Sequence, residues 1–562
     1  MRGTTKVASD ALLRVDANER MHKIGLPIEA AAVFLLTVLA YRLMWSTMPV
    51  DDVSRYVTEL QVGRDFWDMA HLWMEPIAVR VFRAFSDSTD PMPTLTWLNT
   101  LSAGIALAIF FMTMRSITGS RLISVLSVVA AIASFNFVSL VPTGHIKAMV
   151  LPFFALGLHF AAVWEAGVCK GPSVARSRLD LMLSGVSFGL GAGLLVTTVP
   201  LLVVASLMIP LRLKLRGAST RDAVKESAVF LLAAGVAGAA GLVLAYVVGT
   251  LNGTASGNIV SFFLSGLQAK YEINQFYSST ASRLARFAFS SVYNFVYLPD
   301  AGQYGRAYID DLLPSLAPYV PAIARDVALA LPVVFMLAVA LLGAAWSGVV
   351  RGRPTLLALG CTLGGLAYGF VLNLNDPEHW FQLTLPTLLC FGLVIAGRRF
   401  AATGLIALIA VMSVPNLSWY AYPRATYQLD RSSAELQSRL GMFGLHVNYA
   451  GYPGNMTTSL IAGLPPSRNI RPDLIFIEQK FDVAKTLDAL DRALMPAVRM
   501  GDPVLVFRVF DELDWRGPVA DLAARGLSPD LLRAHLREKY TVTPVGKIAG
   551  FDAYSLTAKS SK

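Results

Sequence analysis

The chain has 562 residues, of which 54% are hydrophobic and only 15% charged, with a net charge of +10. A mean hydropathy of +0.53 excludes an ordinary water-soluble globule, whose apolar and charged shares differ clearly from these. The basic residues fall in short clusters between apolar runs, the pattern that orients membrane spans, so the charge is no sign of a nucleic-acid partner.

Residues 1–25 carry Arg2, Lys6, Arg14, Arg20 and Lys23 and read as a cytoplasmic tail. The apolar stretch that follows is too long for a signal peptide and lacks a small-residue cleavage site, so it reads as an uncleaved first span. With roughly 20 apolar residues per crossing, spans are expected near 26–46, 94–114, 122–141, 148–167, 226–249, 327–349, 355–374, 380–397 and 400–419. Residues 181–211 are too long for one helix, yet Arg176 and Arg178 precede them and Arg212, Lys214 and Arg216 follow. Two short spans turning at Thr197 and Thr198 reconcile these flanks. The total is then about eleven, and every short loop on the side of the N-terminal tail is basic.

This arrangement predicts an all-α polytopic membrane protein, its membrane module covering 26–419 with outer loops at 47–93 and 250–326. Residues 420–562 follow as a small extracytoplasmic α/β domain. In the second outer loop, 261–267 and 271–297 are apolar and aromatic with Lys270, Arg283 and Arg286 scattered between and within them, which predicts interfacial helices. In the tail, helical periodicity over 482–500 and 520–539 alternates with short β runs at 474–477, 504–507 and 540–542. Short basic loops and a tail without cysteine suit a bacterial inner membrane with the N-terminus cytoplasmic.

Polar chemistry is densest in the first outer loop: Asp51, Asp52, Arg55 and Tyr56, then Glu59, Arg64, Asp65, Asp68, His71 and Glu75. Neighbouring Asp51 and Asp52 cannot both point the same way. One can face a cavity as a general base while the other caps a helix or binds a cation, although a capping role for either Asp is the plainer alternative.

A carboxyl pair directly outside the first span, followed by Arg55 and Tyr56, resembles the GT-C superfamily of polytopic glycosyltransferases, which use lipid-phosphate-linked sugar donors. The segment Asp52-Val53-Ser54-Arg55-Tyr56 is similar to the Asp-x-x-Arg-Tyr start of the aminoarabinose and protein-mannosyl type of members. Glu75-Pro76-Ile77-Ala78 is similar to their Lys-Pro-Ile-Ala segment, with Glu75 standing where those relatives often carry a phosphate-contacting lysine. The resemblance implies transfer of a sugar from a polyprenyl phosphate to a lipid, glycan or protein acceptor, with inversion at the anomeric carbon. It also implies Asp52 as the base, with Asp51 as second choice.

Such a transfer needs a cationic site for the departing phosphate. Arg55, Arg64, His71, His145, Lys147, Arg283, Arg286, Arg306 and His379 are expected near the outer face. Lys147 is of most interest because it opens a span, where a helix N-terminus favours anions; snorkelling at a helix end is its alternative. Arg283 and Arg286 lie on one helical face, suited equally to an anionic lipid. Glu75, His71 and His379 are possible metal or acceptor contacts. No tight ligand spacing is present, so a divalent metal is possible but not strictly required. His159, inside a span, reads as a hydrogen-bonded bundle residue.

Two other readings compete. A secondary transporter is suggested by the glycine-rich short spans around 185–193, which could be broken helices, but charged residues keep to the loops and leave no intramembrane charge to couple an ion. A non-catalytic envelope scaffold would tolerate loss of both Asp51 and Asp52.

Overall fold

The computed structural model describes residues 25–46, 73–85, 91–170, 174–195, 198–251, 257–261, 280–299, 320–372, 382–426, 442–448, 469–472, 481–507, 526–548 and 551–559, with isolated positions at 53, 60, 475, 476, 479, 509 and 510. Helix α1 (Gly25–Leu43) opens the membrane body. A short amphipathic α2 (Met74–Phe85) precedes α3 (Met92–Thr118), and α4 (Arg121–Ala133) and α5 (Phe135–Leu140) follow. The chain continues through α6 (Leu151–Lys170), α7 (Val174–Leu194), α8 (Val199–Lys214), α9 (Thr220–Leu251) and α10 (Thr280–Tyr293). Helices α11 (Val320–Val349), α12 (Leu356–Leu372), α13 (Thr384–Ile395) and α14 (Ala401–Ser413) complete the body. The last runs into a π-helical turn, Val414–Ala421, and a short α15 (Tyr422–Thr426).

Among the described residues six helices, with α6 and α14 counted together with their adjoining turns, have the length and apolarity to cross a bilayer. The bent pair formed by α4 and α5 with the turn after it is a seventh if it counts as one span. The apolar α12 and α13 are shorter. The run 181–211 is indeed interrupted, because α7 ends at Leu194 and α8 starts at Val199. One apolar core joins residues from α1 to α14. Within it α3 and α6 are central, with 67% of each apolar window buried against 17% for α1 and α9.

Between lipid-solvated helices, oil-like burial supplies little driving force, so small residues that admit backbone contact decide the packing. Helix α7 places Gly185, Gly189 and Gly193 on one stripe against α9. A Cβ on Gly189 would lie 2.3 Å from the Ala234 carbonyl oxygen, and one on Gly185 would lie 2.5 Å from that of Phe230. Gly360 and Gly364 of α12 meet α8 in the same way, at the backbone of Ala205 and Leu201.

The charged residues do not all keep to the loops, which corrects the sequence reading. Glu165, inside α6, and Arg212, near the end of α8, form a fully buried ion pair, with Arg212 Nε 2.7 Å from Glu165 Oε1. The same carboxylate accepts from the backbone N–H groups of Leu356 (2.9 Å) and Leu357 (3.0 Å), the first turn of α12. The remaining guanidinium N–H groups donate to the carbonyls of Gly348 and Arg353. Each charge is thereby neutralised and hydrogen-bonded, which is the condition for burying it.

A second polar knot ties the residues just after α10 to the bundle. The Asn416 carboxamide, in the π-helical turn, donates to the carbonyls of Ala133 (2.6 Å) and Phe295 (2.8 Å) and accepts from the N–H of Tyr297 (2.6 Å). Asn136 and Asn294 join side chain to side chain beside it. Phe135, Tyr293, Tyr297 and Tyr420 stack around this knot, with ring centroids 4.5 to 5.3 Å from that of Phe135.

A separate apolar core lies after residue 442. Its five-stranded sheet has the order β2-β1-β3-β5-β4, built from β1 (Leu445–Asn448), β2 (Asn469–Ile470), β3 (Val504–Phe507), β4 (Tyr540–Ile548) and β5 (Phe551–Ala558). The first three strands are parallel, and β5 adds antiparallel to β3 and to β4. Helix α16 (Val483–Met500) is capped by the Asp482 side chain and ended by Gly501 at φ 80, and α17 (Pro529–Lys539) is capped by Ser528. The expected β run at 474–477 is corrected where it is described. Ile475 and Phe476 are helical, held by bonds from Ile475 N to Arg471 O and from Gln479 N to Ile475 O. Phe476 is fully buried and meets Phe481 edge to face at 5.4 Å, so a local apolar run is used to fill a core rather than to extend a sheet.

Candidate active site

Asp51, Asp52, Arg64, His71 and His379 lie outside the described residues, as do the side chains of Glu75 on α2 and of Arg283 and Arg286 on α10. Val53, next to Asp52, and Leu60, seven residues on, are both buried in the main apolar core. Trp73 Nε1 donates to the carbonyl of Gly241 on α9 at 2.8 Å. Helix α2 follows, burying Met74, Ala78 and Val79.

The chain makes a tight turn between α5 and α6. Two 3-10 turns, Val141–Thr143 and Ile146–Val150, flank Gly144, whose φ of 82 suits glycine and whose missing side chain allows close contact with α3. A Cβ there would lie 3.3 Å from Leu95 Cβ. The Ser46 N–H donates to Pro142 O at 3.1 Å, and Trp45 Nε1 donates to Thr100 Oγ1 at 3.2 Å, so the end of α1 closes onto this turn. Lys147, singled out from sequence, is fully buried here, as is His145. A buried ammonium is tolerated only opposite negative charge or strong acceptors.

His159 takes the bundle role expected of it, with Nδ1 3.0 Å from Thr113 Oγ1. Among the described residues no group of three or more His, Cys, Asp and Glu side chains stands close enough to hold a metal.

No protein-family model and no curated relative matches this sequence. Solved structures do. A crystal structure of ArnT from Cupriavidus metallidurans bound to undecaprenyl phosphate superposes with a TM-score of 0.50 at 11% identity, covering 94% of this chain and 98% of that one. The archaeal oligosaccharyltransferase AglB from Archaeoglobus fulgidus, in complex with an inhibitory peptide and a dolichol-phosphate, gives 0.48 at 11% identity over 94% of this chain and 74% of that one. From end to end, then, the chain is similar in fold to the ArnT structure.

Proposed function

We propose that this protein is a glycosyltransferase that moves a sugar from a polyprenyl-phosphate donor to a lipid, glycan or protein acceptor on the extracytoplasmic face of the membrane. The observation that carries the reading is the end-to-end likeness to ArnT, whose structure holds undecaprenyl phosphate. Asp52, or its neighbour Asp51, takes the proton of the acceptor hydroxyl. The freed oxygen attacks the anomeric carbon, the bond from that carbon to the phosphate oxygen breaks, and the polyprenyl phosphate departs with the electron pair. Lys147 supplies positive charge toward the leaving phosphate, and Arg64, His71, Arg283 and Arg286 are further donor contacts. Glu75 and His379 serve the acceptor, or a divalent metal if one is bound.

The topology that goes with this function is eleven crossings with residues 420–562 outside. The transporter reading loses its motive, because Gly185 and Gly189 are taken up by backbone contact between α7 and α9.

The test replaces Asp51 and Asp52 singly and together with Asn, matches membrane expression, and follows radiolabelled sugar from total polyprenyl-linked donors into envelope lipids, glycans and proteins. A base contributes about 10² to 10⁴ in rate, so one single variant and the double variant lose nearly all transfer. Full transfer by the double variant would favour a non-catalytic scaffold instead.

A further inference from the structure

An apolar groove of about 460 Å³ runs between the first turns of α11 and the end of α14. Ala328 and Leu329 line it on one side, Ala410, Val411 and Val414 on the other, and Arg325 lines the end nearest the start of α11. Alanine at 328 and 410 leaves room that larger side chains would close. Farther along, the outward faces of both helices stay apolar, with Leu331 and Phe335 of α11 and Ile406 of α14 all exposed.

The groove nevertheless carries a charge. Arg325 and Asp326 are neighbours on α11 but turn different ways, since successive residues of a helix point about 100° apart. Half of the Arg325 side chain is exposed, at 49%, against 1% for Asp326, and their nearest atoms stand 3.9 Å apart. The acid therefore belongs to the bundle and the arginine to the groove. Arg325 Cζ also lies 5.8 Å from the centre of the Trp419 ring, within reach of a cation–π contact. A tryptophan and a basic side chain side by side at a helix end are the residues that settle at the headgroup level of a bilayer.

We propose that this groove holds one acyl chain of an anionic phospholipid whose phosphate rests on Arg325. The apolar walls accept hydrocarbon, and a guanidinium, with donors only and a planar fork, fits phosphate oxygens. A headgroup with an ammonium of its own would bring a like charge beside the guanidinium, which favours the anionic lipid over a zwitterionic one. A spanning helix of another protein could fill the walls, but it would bury Arg325 against apolar side chains at a high cost. The leaflet follows from the topology proposed above, in which α11 enters the membrane from the outer side. The binding itself depends neither on that topology nor on the transfer reaction.

Purified full-length protein, Arg325→Gln, Ala410→Phe and Arg351→Gln are titrated in detergent with dioleoyl phosphatidylglycerol or dioleoyl phosphatidylcholine. Native mass spectrometry reads the retained lipid, and melting temperature reads its effect on stability. The unaltered protein should hold one phosphatidylglycerol about 5-fold more tightly than phosphatidylcholine, the worth of one arginine at an anionic headgroup, and should melt higher with it. Arg325→Gln should lose that preference. Ala410→Phe, which fills the groove, should lose the tightly held lipid, and Arg351→Gln, an exposed arginine past the other end of α11, should keep it. Equal retention of the two lipids by the unaltered protein overturns the assignment, as does a preference that survives in Arg325→Gln or a lipid still held by Ala410→Phe. An equal loss in Arg351→Gln would reduce the effect to general basicity and overturn it too. Displacement of the phosphatidylglycerol by equimolar undecaprenyl phosphate would give the groove to a polyprenyl carrier instead.

Discussion

Taking Glu165 away from Arg212 leaves a guanidinium buried among α6, α8 and α12 with only carbonyls to meet it. Breaking a buried pair in this way is destabilising by about 3–5 kcal/mol, whereas replacing both partners with apolar residues of similar size is often neutral. Glu165→Ala is therefore expected to lower the melting temperature in detergent sharply, and Glu165→Leu with Arg212→Met to recover most of it. A double variant as unstable as the single would mean that the pair does more than neutralise itself. A second residue, Asp491 beneath the sheet, ties stability to pH. Burial pushes its carboxyl up, but hydrogen bonds from His535 (2.9 Å), Lys539 and Tyr540, with the charge of His535, outweigh this and hold it below the ordinary value. A carboxyl depressed in the folded state contributes stability that is complete above its unfolded value of about 3.9. That stability is lost as pH falls through the lower folded value. Protease resistance of the C-terminal segment should thus fall in acid in the unaltered protein and change less over the same range in Asp491→Asn.

At the scale of elements, glycine positions separate packing from permissiveness. Gly189→Ala should weaken the α7–α9 contact, because its Cβ would meet the Ala234 carbonyl and neither backbone can yield cheaply. Gly235→Ala, on α9 with nothing within 4 Å, should leave melting unchanged. Equal effects of the two would refute this account of the crossing. The helices were legible because each is a long apolar run punctuated by Arg or Lys, as at Arg115 and Arg121 or Arg398 and Arg399. The interruption after Leu194 was legible from charge bookkeeping, not from propensity. The buried Glu165 escaped because its partner, Arg212, lies 47 residues away and reads locally as one more flanking cation. Strands β1 and β2 escaped for a similar reason: four and two residues long, they are defined by partners and not by a pattern of their own. The turn carrying Lys147 was legible, but the full burial of Lys147 and His145 was not, since only the packing of that turn against α3 shows it.

The whole molecule depends on which side of the membrane each end of the bundle faces. Glu165, Arg212 and Arg353 gather at one end, together with Arg178 paired to Glu226 at 2.6 Å and Arg216 bonded to the Gly352 carbonyl. Lys147, Trp45 and the Asn416 knot lie toward the ends of helices that run the other way. A cluster rich in arginine at one end is what retention on the cytoplasmic side requires. It follows that single cysteines placed in an otherwise cysteine-free protein near residues 172, 217, 352 and 398 should be shielded from an impermeant thiol reagent in intact cells. Those near 48, 196, 300 and 440 should be labelled. The pattern is demanding because consecutive sites alternate: labelling at 196 between shielded 172 and 217 requires α7 and α8 to be two crossings, and a single re-entrant excursion from the other side would shield all three. Labelling at 352 with shielding at 48 would invert the protein, placing Asp51 and Asp52 in the cytoplasm, away from an acceptor in the envelope.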